Sequence, residues 1–294
     1  MASSSIEWTE ATWNPVTGCT RASAGCDLCY AVTMTRRLAA MGSEKYIGLI
    51  NPNKQHFNGV VRTHFGSLGE PFKRRPGTLW FVNSMSDLFH KEVPFDFVAA
   101  VFGVMAATPR HQYQVLTKRP ERMRAFFDWL GEQRHDSLAV CVESAANALD
   151  QTLDVGDETP WPLPNVWLGT SVEDERVADR IDALQSVPAH VRFLSCEPLI
   201  GPVDLTGRLN GIHWVIVGGE SGFGARPMSP EWAEAIQSAC REQRVAYFFK
   251  QTGAVLAKEW GLSSKKGSDA EEWPEAHQHL GERAFPAVAS FETA

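Results

Sequence analysis

Several common signatures are absent from this sequence of 294 residues. It contains no apolar run of the length that crosses a membrane, and no secretory signal. It has no Ser-His-Asp arrangement, no phosphate-binding glycine loop and no His-Glu-x-x-His stretch, which argues against a conventional hydrolase. Its six cysteines are too few for a disulfide scaffold in a chain of this length. We therefore expect a cytoplasmic protein without a membrane contact.

Positive charge is also scarce. The formal net charge is −7 and the isoelectric point is about 5.7, which excludes a protein that coats DNA by charge alone but leaves room for a local basic groove. Hydrophobic residues make up 44% of the chain, and ten Trp and sixteen Phe predict a globular protein with a packed core. The length corresponds to one large domain or two small ones.

Half of the few cysteines lie in one short stretch. Cys19, Cys26 and Cys29 follow each other with the spacing C-x6-C-x2-C. Gly18 and Gly25 each precede a cysteine, and glycine allows the backbone to turn so that several sulfurs face one point. This pattern predicts a loop that is organised around a metal.

Three thiolates leave the fourth position of a four-coordinate site open. A structural zinc site normally closes with a fourth Cys or His, but the nearest histidine is His56 and the other cysteines lie far along the chain. Asp27 is a weaker candidate for the fourth donor. A [4Fe-4S] cluster on three thiolates instead keeps one iron free for a small molecule. The open cluster is the preferred interpretation, and zinc or buried thiols are the alternatives.

The rest of the chain alternates short apolar runs with amphipathic segments. Continuous apolar runs are typical of strands that are buried on both faces of a parallel sheet. The predicted strands are 12–14, 79–82, 114–116, 166–169, 192–194, 214–217 and 247–249. The predicted helices are 32–40, 94–107, 120–130, 173–187 and 229–244. About seven such units predict an α/β fold, a partial or full (β/α) barrel with the cysteine loop after its first strand. An open doubly wound sheet is the alternative.

Three segments interrupt this alternation. We assign residues 1–260 to the barrel, with one insertion at about 42–77 that contains a short strand at 59–63. A second insertion at about 131–165 ends in Thr-Pro-Trp-Pro-Leu-Pro and is expected to run extended over the surface. Residues 261–294 are polar and are expected to form a loosely packed appendage.

Polar residues and glycines follow the predicted strands. The carboxyl ends of the strands of a barrel meet at one rim, where the chemistry of such folds is located, so these residues and the cysteines are expected around one cavity. They are Asn83, Asp87, Thr117, Lys118, Arg119, Glu173, Glu197, Gly218, Gly219, Glu220 and Lys250. Each also has a simpler interpretation, because such residues cap helices, form tight turns or begin a solvated helix.

The cysteine loop after the first strand of a partial barrel, with Tyr30 directly after the last cysteine, resembles the radical S-adenosylmethionine superfamily. The superfamily spacing is C-x3-C-x2-C, and the first interval here is longer by three residues. A phage-associated family of uncharacterised three-Cys-motif proteins is more closely similar, up to about Phe249. The segments that carry this similarity are Trp13-Asn14-Pro15, Gly25-Cys26-Asp27-Leu28-Cys29-Tyr30-Ala31, Asn83-Ser84-Met85-Ser86-Asp87-Leu88-Phe89, Leu116-Thr117-Lys118-Arg119-Pro120, Ser195-Cys196-Glu197-Pro198-Leu199 and Val217-Gly218-Gly219-Glu220-Ser221.

The superfamily resemblance implies a cofactor pair. The three cysteines would bind a [4Fe-4S] cluster, and its open iron would chelate S-adenosylmethionine. A one-electron reductant would then trigger cleavage to a 5′-deoxyadenosyl radical that abstracts hydrogen from a substrate. The implied cofactor contacts are Asn83 or Asp87 for the amine, Thr117, Lys118 and Arg119 for the carboxylate or a substrate phosphate, and Gly218, Gly219 and Glu220 for the adenine. The catalytic candidates are Tyr30, Glu173, Glu197 and Lys250, without assigned roles.

The substrate is open to several hypotheses. The resemblance implies repair or modification of DNA or RNA, with Lys73-Arg74-Arg75 and residues 118–124 as phosphate contacts. Peptides and small molecules are alternatives. A different class of function is a non-enzymatic barrel, stabilised by zinc or a cluster, that serves as a binding module or partner subunit. A third is a hydrolase that uses Glu197 or Glu220.

Overall fold

The computed structural model describes residues 4, 6–51 and 56–287. Its strands are Ala11–Trp13 (β1), Val16–Thr17 (β2), Arg62–Thr63 (β3), Leu79–Val82 (β4), Gln112–Thr117 (β5), Val166–Ser171 (β6), Val191–Cys196 (β7), Trp214–Gly218 (β8) and Ala246–Gln251 (β9). Its α-helices are Tyr30–Ala40 (α1), Phe95–Ala106 (α2), Pro120–Gly131 (α3), Ser137–Leu149 (α4), Arg180–Gln185 (α5), Pro230–Glu242 (α6) and Ala254–Glu259 (α7). No helix in these ranges is both long and apolar enough to span a bilayer.

Seven of the strands form one parallel sheet in the order β1-β4-β5-β6-β7-β8-β9. Every crossover therefore moves in the same direction along the sheet, without the reversal of strand order that defines a doubly wound sheet. The sheet curls into a half-barrel, and β1 and β9 are its two edges in the described part of the chain. The prediction of a partial barrel is confirmed. The predicted strand at 59–63 forms as β3, which pairs antiparallel with β2.

The two faces of the sheet have different cores, because successive side chains of a strand point to opposite sides. Val215 and Val217 of β8 belong to the core between the sheet and the helices. Trp214 and Ile216 point to the concave face. There they join an aromatic cluster with Trp8, whose ring centroid lies 4.6 Å from Phe81 and 6.3 Å from Trp214. This cluster packs on the concave face, nearer to the amino ends of the strands than the cysteine loop is.

The predicted helix at 173–187 is replaced by two shorter elements. A 3-10 turn at Glu175–Val177 comes first, and α5 follows it. Asp174 caps this turn through a hydrogen bond of 3.0 Å from the backbone N–H of Arg176 to its Oδ1. The separate cap leaves Glu173 outside the helix, where its carboxylate is available to other partners.

The expectation for the insertion at 131–165 is wrong in its first half. Residues 137–149 form α4 instead of extended chain, and Asp136 caps it by accepting a hydrogen bond of 3.0 Å from the backbone N–H of Ala139. The helix packs against α2, where a Cβ at Gly103 would lie 2.0 Å from the carbonyl oxygen of Cys141. Packing of α4 on Gly103 thus stabilises this helix. The sequence does not predict it, because the proline-rich end of the segment is typical of extended chain.

The expectation of a loosely packed tail is wrong for residues 261–287. Trp273 and Leu280 are fully buried in the main core. The backbone N–H of Phe249 donates to the carbonyl of Glu282 over 2.8 Å, and that of Ala284 donates to Tyr247 over 2.9 Å. The tail therefore covers the edge strand β9, whose backbone groups would otherwise lack partners. Residues 52–55 and 288–294 of the predicted insertion and tail lie outside the described residues.

Candidate functional site

The cysteine loop, residues 18–29, connects the first strands of the half-barrel to α1 at the carboxyl ends of the sheet. Gly18 has a φ of +82°, and a Cβ there would lie 2.0 Å from the carbonyl oxygen of Val60, so this turn requires glycine. Cys26 ends a 3-10 turn and Cys29 directly precedes α1. All three cysteines of the loop are partly buried free thiols. The structure thus places them on the rim, as the sequence predicts.

A first ion pair anchors the cysteine loop near its beginning. Arg119 Nη1 donates to Asp87 Oδ2 over 2.6 Å, and its Nη2 donates to the carbonyl oxygen and the hydroxyl of Thr20 over 2.9 and 3.0 Å. Asp87 also accepts from Thr117 Oγ1 at 2.7 Å and from the backbone N–H of Lys118 at 3.1 Å. The carboxylate is therefore saturated by partners from the protein.

A second anchor holds the middle of the loop. Glu173 is 1% exposed and forms ion pairs with Lys118 Nζ and, at 3.1 Å, with Arg180 Nη1. Its Oε1 accepts a hydrogen bond of 2.9 Å from Ser23 Oγ. A Cβ at Gly25 would lie 2.5 Å from Glu173 Cγ, so the loop packs directly on this carboxylate. Gly25 is thus required for close packing at the position where the sequence predicts a flexible turn.

A third anchor follows β8. Glu220 accepts from the backbone N–H and the Nε of Arg226, each over 2.9 Å, and from its Nη2 over 2.5 Å. Arg226 Nη1 in turn donates to the carbonyl oxygen of Ala24 over 2.9 Å. Three carboxylates that follow separate strands therefore hold the loop: Glu173 contacts it directly, and Asp87 and Glu220 act through arginine partners.

These contacts change what the predicted cofactor residues are able to do. From the sequence, Asp87, Lys118, Arg119 and Glu220 are predicted to bind a cofactor or phosphate. Each of them has a charged partner within the protein, so its charge is already partly neutralised without a ligand. Their direct contact with a cofactor stays a prediction, whereas their contacts support an anchoring role.

Asn83 differs from these residues because its side chain has no partner. It is 2% exposed, and within the described part of the chain neither its Oδ1 nor its Nδ2 forms a hydrogen bond. Its backbone N–H donates to the carbonyl of Trp13 over 2.8 Å, which fixes it at the ends of β1 and β4, and its φ is +63°. A buried amide without partners costs free energy, and a ligand that supplies the missing hydrogen bonds would remove that cost.

Glu197 and Lys250 form a largely buried ion pair above the aromatic cluster. Their charged atoms lie 2.9 Å apart, and the side chains are 13% and 18% exposed. Trp8 Nε1 donates to the other carboxylate oxygen of Glu197 over 3.3 Å. A Cβ at Gly218 would lie 2.6 Å from Glu197 Oε1, so the glycine makes room for the carboxylate. The pair therefore faces the concave side of the sheet, next to the open end of the half-barrel.

The remaining predicted residues have positions on the same rim. Tyr30 is half exposed, and its hydroxyl donates to the carbonyl of Ser84 over 2.5 Å. Gly219 packs against the end of β9, because a Cβ there would lie 2.1 Å from the carbonyl oxygen of Thr252. Its backbone N–H also donates to the carbonyl of Gln251 over 2.9 Å. Gly219 is thus needed for close packing on the loop after β9, and its predicted contact with a cofactor stays a prediction.

The three thiols of the cysteine loop are the candidate metal donors. Among the described residues, no group of three His, Cys, Asp or Glu side chains is arranged as the ligands of one metal ion. Which metal or cluster the loop binds stays a prediction. Burial raises the pKa of the Cys19 thiol to about 12. The nearby negative charge of Asp87 raises this pKa further, and the positive charge of Arg119 lowers it. A metal that binds the Cys19 sulfur must therefore displace a firmly held proton.

The two predicted basic clusters have different positions: residues 73–75 lie away from this rim, whereas Lys118 and Arg119 of the second cluster lie on it. Arg75 pairs with Glu10 at 3.8 Å, and Arg74 lies over the ring of Trp80, so both lie at the amino ends of the strands. In the second cluster, Arg122 Nη2 donates to the carbonyl of Val93 over 3.0 Å. Contact of residues 73–75 and 118–124 with phosphates stays a prediction, although Arg74 and Arg75 lie away from the site. A cavity of about 920 Å³ also lies away from the cysteines, between α2 and α4.

Comparison with known proteins places the chain in a family. A family described as protein of unknown function (DUF5131) matches residues 3–281. The chain belongs to this family. No curated protein matches this DUF5131 chain.

Solved structures of spore photoproduct lyase are similar to the DUF5131 chain at low identity. One, a variant with a cysteine substituted, has 14% identity and a TM-score of 0.41 and covers 83% of this chain and 65% of its own. Another, complexed with dinucleoside spore photoproduct, has 13% identity and a TM-score of 0.40 and covers 82% of this chain and 63% of its own. The DUF5131 chain thus spans just under two thirds of these structures.

Several residues of the DUF5131 site are missing from the sequence analysis. Arg226 and Arg180 complete two of the anchors, Thr20 completes the first, and Trp8 orients Glu197. Arg226 follows Glu220 by only six residues, so the sequence alone could have predicted an ion pair between them. Trp8 carries no such signal, because its contact with Glu197 spans 189 residues.

Proposed function

We propose that this protein is a radical S-adenosylmethionine-type enzyme. Cys19, Cys26 and Cys29 would bind a [4Fe-4S] cluster and leave one iron open for the amino and carboxyl groups of S-adenosylmethionine. When bound and reduced, this pair supplies a 5′-deoxyadenosyl radical that abstracts hydrogen from a substrate. A cytoplasmic location, which keeps thiols reduced, is part of the proposal.

The observation that carries the proposal is the anchored cysteine loop. Three free thiols are held at the carboxyl rim of a parallel half-barrel by ion pairs at Asp87, Glu173 and Glu220. A loop that is fixed by the protein's own charges has no need of a metal to fold, which argues against a purely structural metal site. Three thiolates without a closing ligand leave a coordination position for a small molecule.

Other residues of the chain would bind the cofactor, bind the substrate and exclude water. Asn83, buried and without partners, would donate to or accept from the polar groups of S-adenosylmethionine. Lys250 and Glu197 would bind polar groups of the substrate, since the ammonium has donors beyond its one carboxylate partner. The aromatic cluster below them would exclude water from this end of the half-barrel.

The substrate class remains part of the proposal. We infer that it is DNA or RNA in the context of repair or modification, with peptides and small molecules as alternatives. A one-electron reductant is the second partner that this chemistry requires. The association of such proteins with phages stays a prediction.

Formation of 5′-deoxyadenosine is the experiment that tests the proposal. Protein that has been purified without oxygen and supplied with iron and sulfide should, after reduction with dithionite, convert S-adenosylmethionine to methionine and 5′-deoxyadenosine even without substrate. The control is the same protein without dithionite. Absence of the product from protein with a full cluster would reject this function and favour a metal-stabilised binding module.

Replacement of Asn83 by glycine separates ligand binding from folding. The variant Asn83→Gly removes a buried amide that has no partners, and glycine accepts the φ of +63° without strain, so the free energy of unfolding should stay equal or rise. The affinity for S-adenosylmethionine should fall by roughly 10- to 100-fold, the loss of one or two hydrogen bonds in a buried site. Equilibrium dialysis with the oxidised-cluster protein, which does not cleave the cofactor, measures it, and an unchanged affinity would remove Asn83 from the site.

A further inference from the structure

Arg119 has a contact that anchoring of the loop does not require. Its Nη1 lies 2.6 Å from Asp87 Oδ2 and also 3.9 Å from Cys19 Sγ, within the range of a hydrogen bond to sulfur. The side chain is 17% exposed, so water and salt screen its charge only weakly. A guanidinium is charged at every physiological pH. A fixed positive charge thus lies against one of the three thiol groups of the cysteine loop.

Charge and hydrogen bonds at a thiolate sulfur change the reduction potential of the cluster that the sulfur binds. The reduction potential of an iron–sulfur cluster depends on its net charge, on hydrogen bonds to the sulfurs and on solvent exposure. Reduction adds one negative charge to the cluster. A cation beside a ligand sulfur stabilises the reduced form more than the oxidised form, and therefore makes the potential less negative.

We propose that Arg119 is a positioning residue that raises the reduction potential of the cluster bound through Cys19. This inference rests on the proposed function. The step that it controls is the transfer of one electron from an external one-electron reductant to the oxidised cluster, with no bond broken and no proton transferred. Arg119 contacts the ligand sulfur rather than the substrate, so it acts through Cys19.

Asp87 makes the proposal testable, because it is the negatively charged partner of Arg119 in the ion pair next to Cys19. Its Oδ2 faces the guanidinium and partly cancels its field at the sulfur. Loss of the arginine and loss of the aspartate both break the same ion pair, although only loss of the arginine also removes the hydrogen bonds to Thr20. They change the local charge in opposite directions. A structural effect would be shared by the two variants, whereas an electrostatic effect changes sign.

The experiment is a redox titration of the cluster-loaded protein, followed by electron paramagnetic resonance of the reduced form. The midpoint potential of Arg119→Gln should be more negative than that of the wild type, and that of Asp87→Asn should be less negative. Arg119→Lys keeps the charge and should lie between the wild type and Arg119→Gln. Arg122→Gln is the matched control, since Arg122 lies in the first turn of α3, three residues after Arg119, but bonds to the carbonyls of His90 and Val93. Its midpoint should equal that of the wild type.

The outcomes distinguish this inference from the proposed function. A wild-type protein that takes up no cluster overturns both. A wild-type cluster of normal content, with both variants shifted in the same direction or unshifted, overturns the role of Arg119 and leaves the proposed function intact. If Arg119→Gln does not take up iron, Asp87→Asn decides, and the absence of a shift to less negative potential in that variant overturns the inference.

Discussion

The variant Cys26→Ala is expected to lose the cluster and all cleavage of S-adenosylmethionine above background while it keeps its fold. Each of the three thiolates binds its own iron in the proposed site, so the removal of one leaves an incomplete ligand set. The loop remains anchored by Glu173 and Glu220, which contact Ser23 and, through Arg226, Ala24. The free energy of unfolding of the metal-free protein should therefore fall by no more than about 1 kcal/mol.

The control for this variant is Cys240→Ala. Cys240 is a buried free cysteine of α6 in the main core, away from the loop. This variant should keep its iron and its activity, although the smaller side chain costs some stability. Circular dichroism and urea denaturation measure the fold, and iron analysis measures the cluster. If Cys26→Ala unfolds while Cys240→Ala does not, the metal is a structural element and the enzyme hypothesis loses its main support.

The variant Glu173→Gln is expected to destabilise the protein by about 3–5 kcal/mol. Glu173 is almost completely buried between Lys118 and Arg180, so the neutral amide leaves two positive charges next to each other with no counter-charge in the second anchor. Removal of one member of a buried ion-pair network is costly because the partner charges are left unpaired in a poorly solvated place. The midpoint of urea denaturation should fall accordingly, and cluster content should fall with it because Ser23 and Gly25 lose their support.

Glu175→Gln is the matched control, two residues along the chain. Glu175 is half exposed and pairs with Arg208 at 3.1 Å. A solvent-exposed ion pair contributes about 0–1 kcal/mol, so this variant should denature almost as the wild type does. Equal effects of the two substitutions would mean that the second anchor does not hold the loop.

The sheet could be predicted from the sequence because its strands are buried on both faces. Runs such as 214–217 are continuously apolar, and that pattern has few other interpretations in a chain of this composition. The rim position of the polar residues then follows from the parallel arrangement alone. The sequence does not predict which residues of the loop each anchor contacts, because these contacts join distant parts of the chain. Arg119, for example, donates to Thr20 across 99 residues.

The elements that the sequence analysis missed share a physical cause. Helix α4 is defined by its packing on Gly103, and the tail by the edge of β9 and the burial of Trp273. In each case the stabilising contact is between distant parts of the chain, while local composition pointed to exposed structure. Asn83 differs from these elements, because its position after β4 already predicts a cofactor contact, and the structure adds that its buried amide has no hydrogen-bond partner among the described residues.

The content of iron, sulfide and zinc in protein purified without oxygen tests the central claim most directly. The account predicts about four iron and four sulfide per chain, no stoichiometric zinc, and a paramagnetic signal that appears on reduction with dithionite and changes when S-adenosylmethionine is added. One zinc per chain, with no iron and no response to the cofactor, would contradict it. The cysteine loop would then be a structural metal site on a protein with another function.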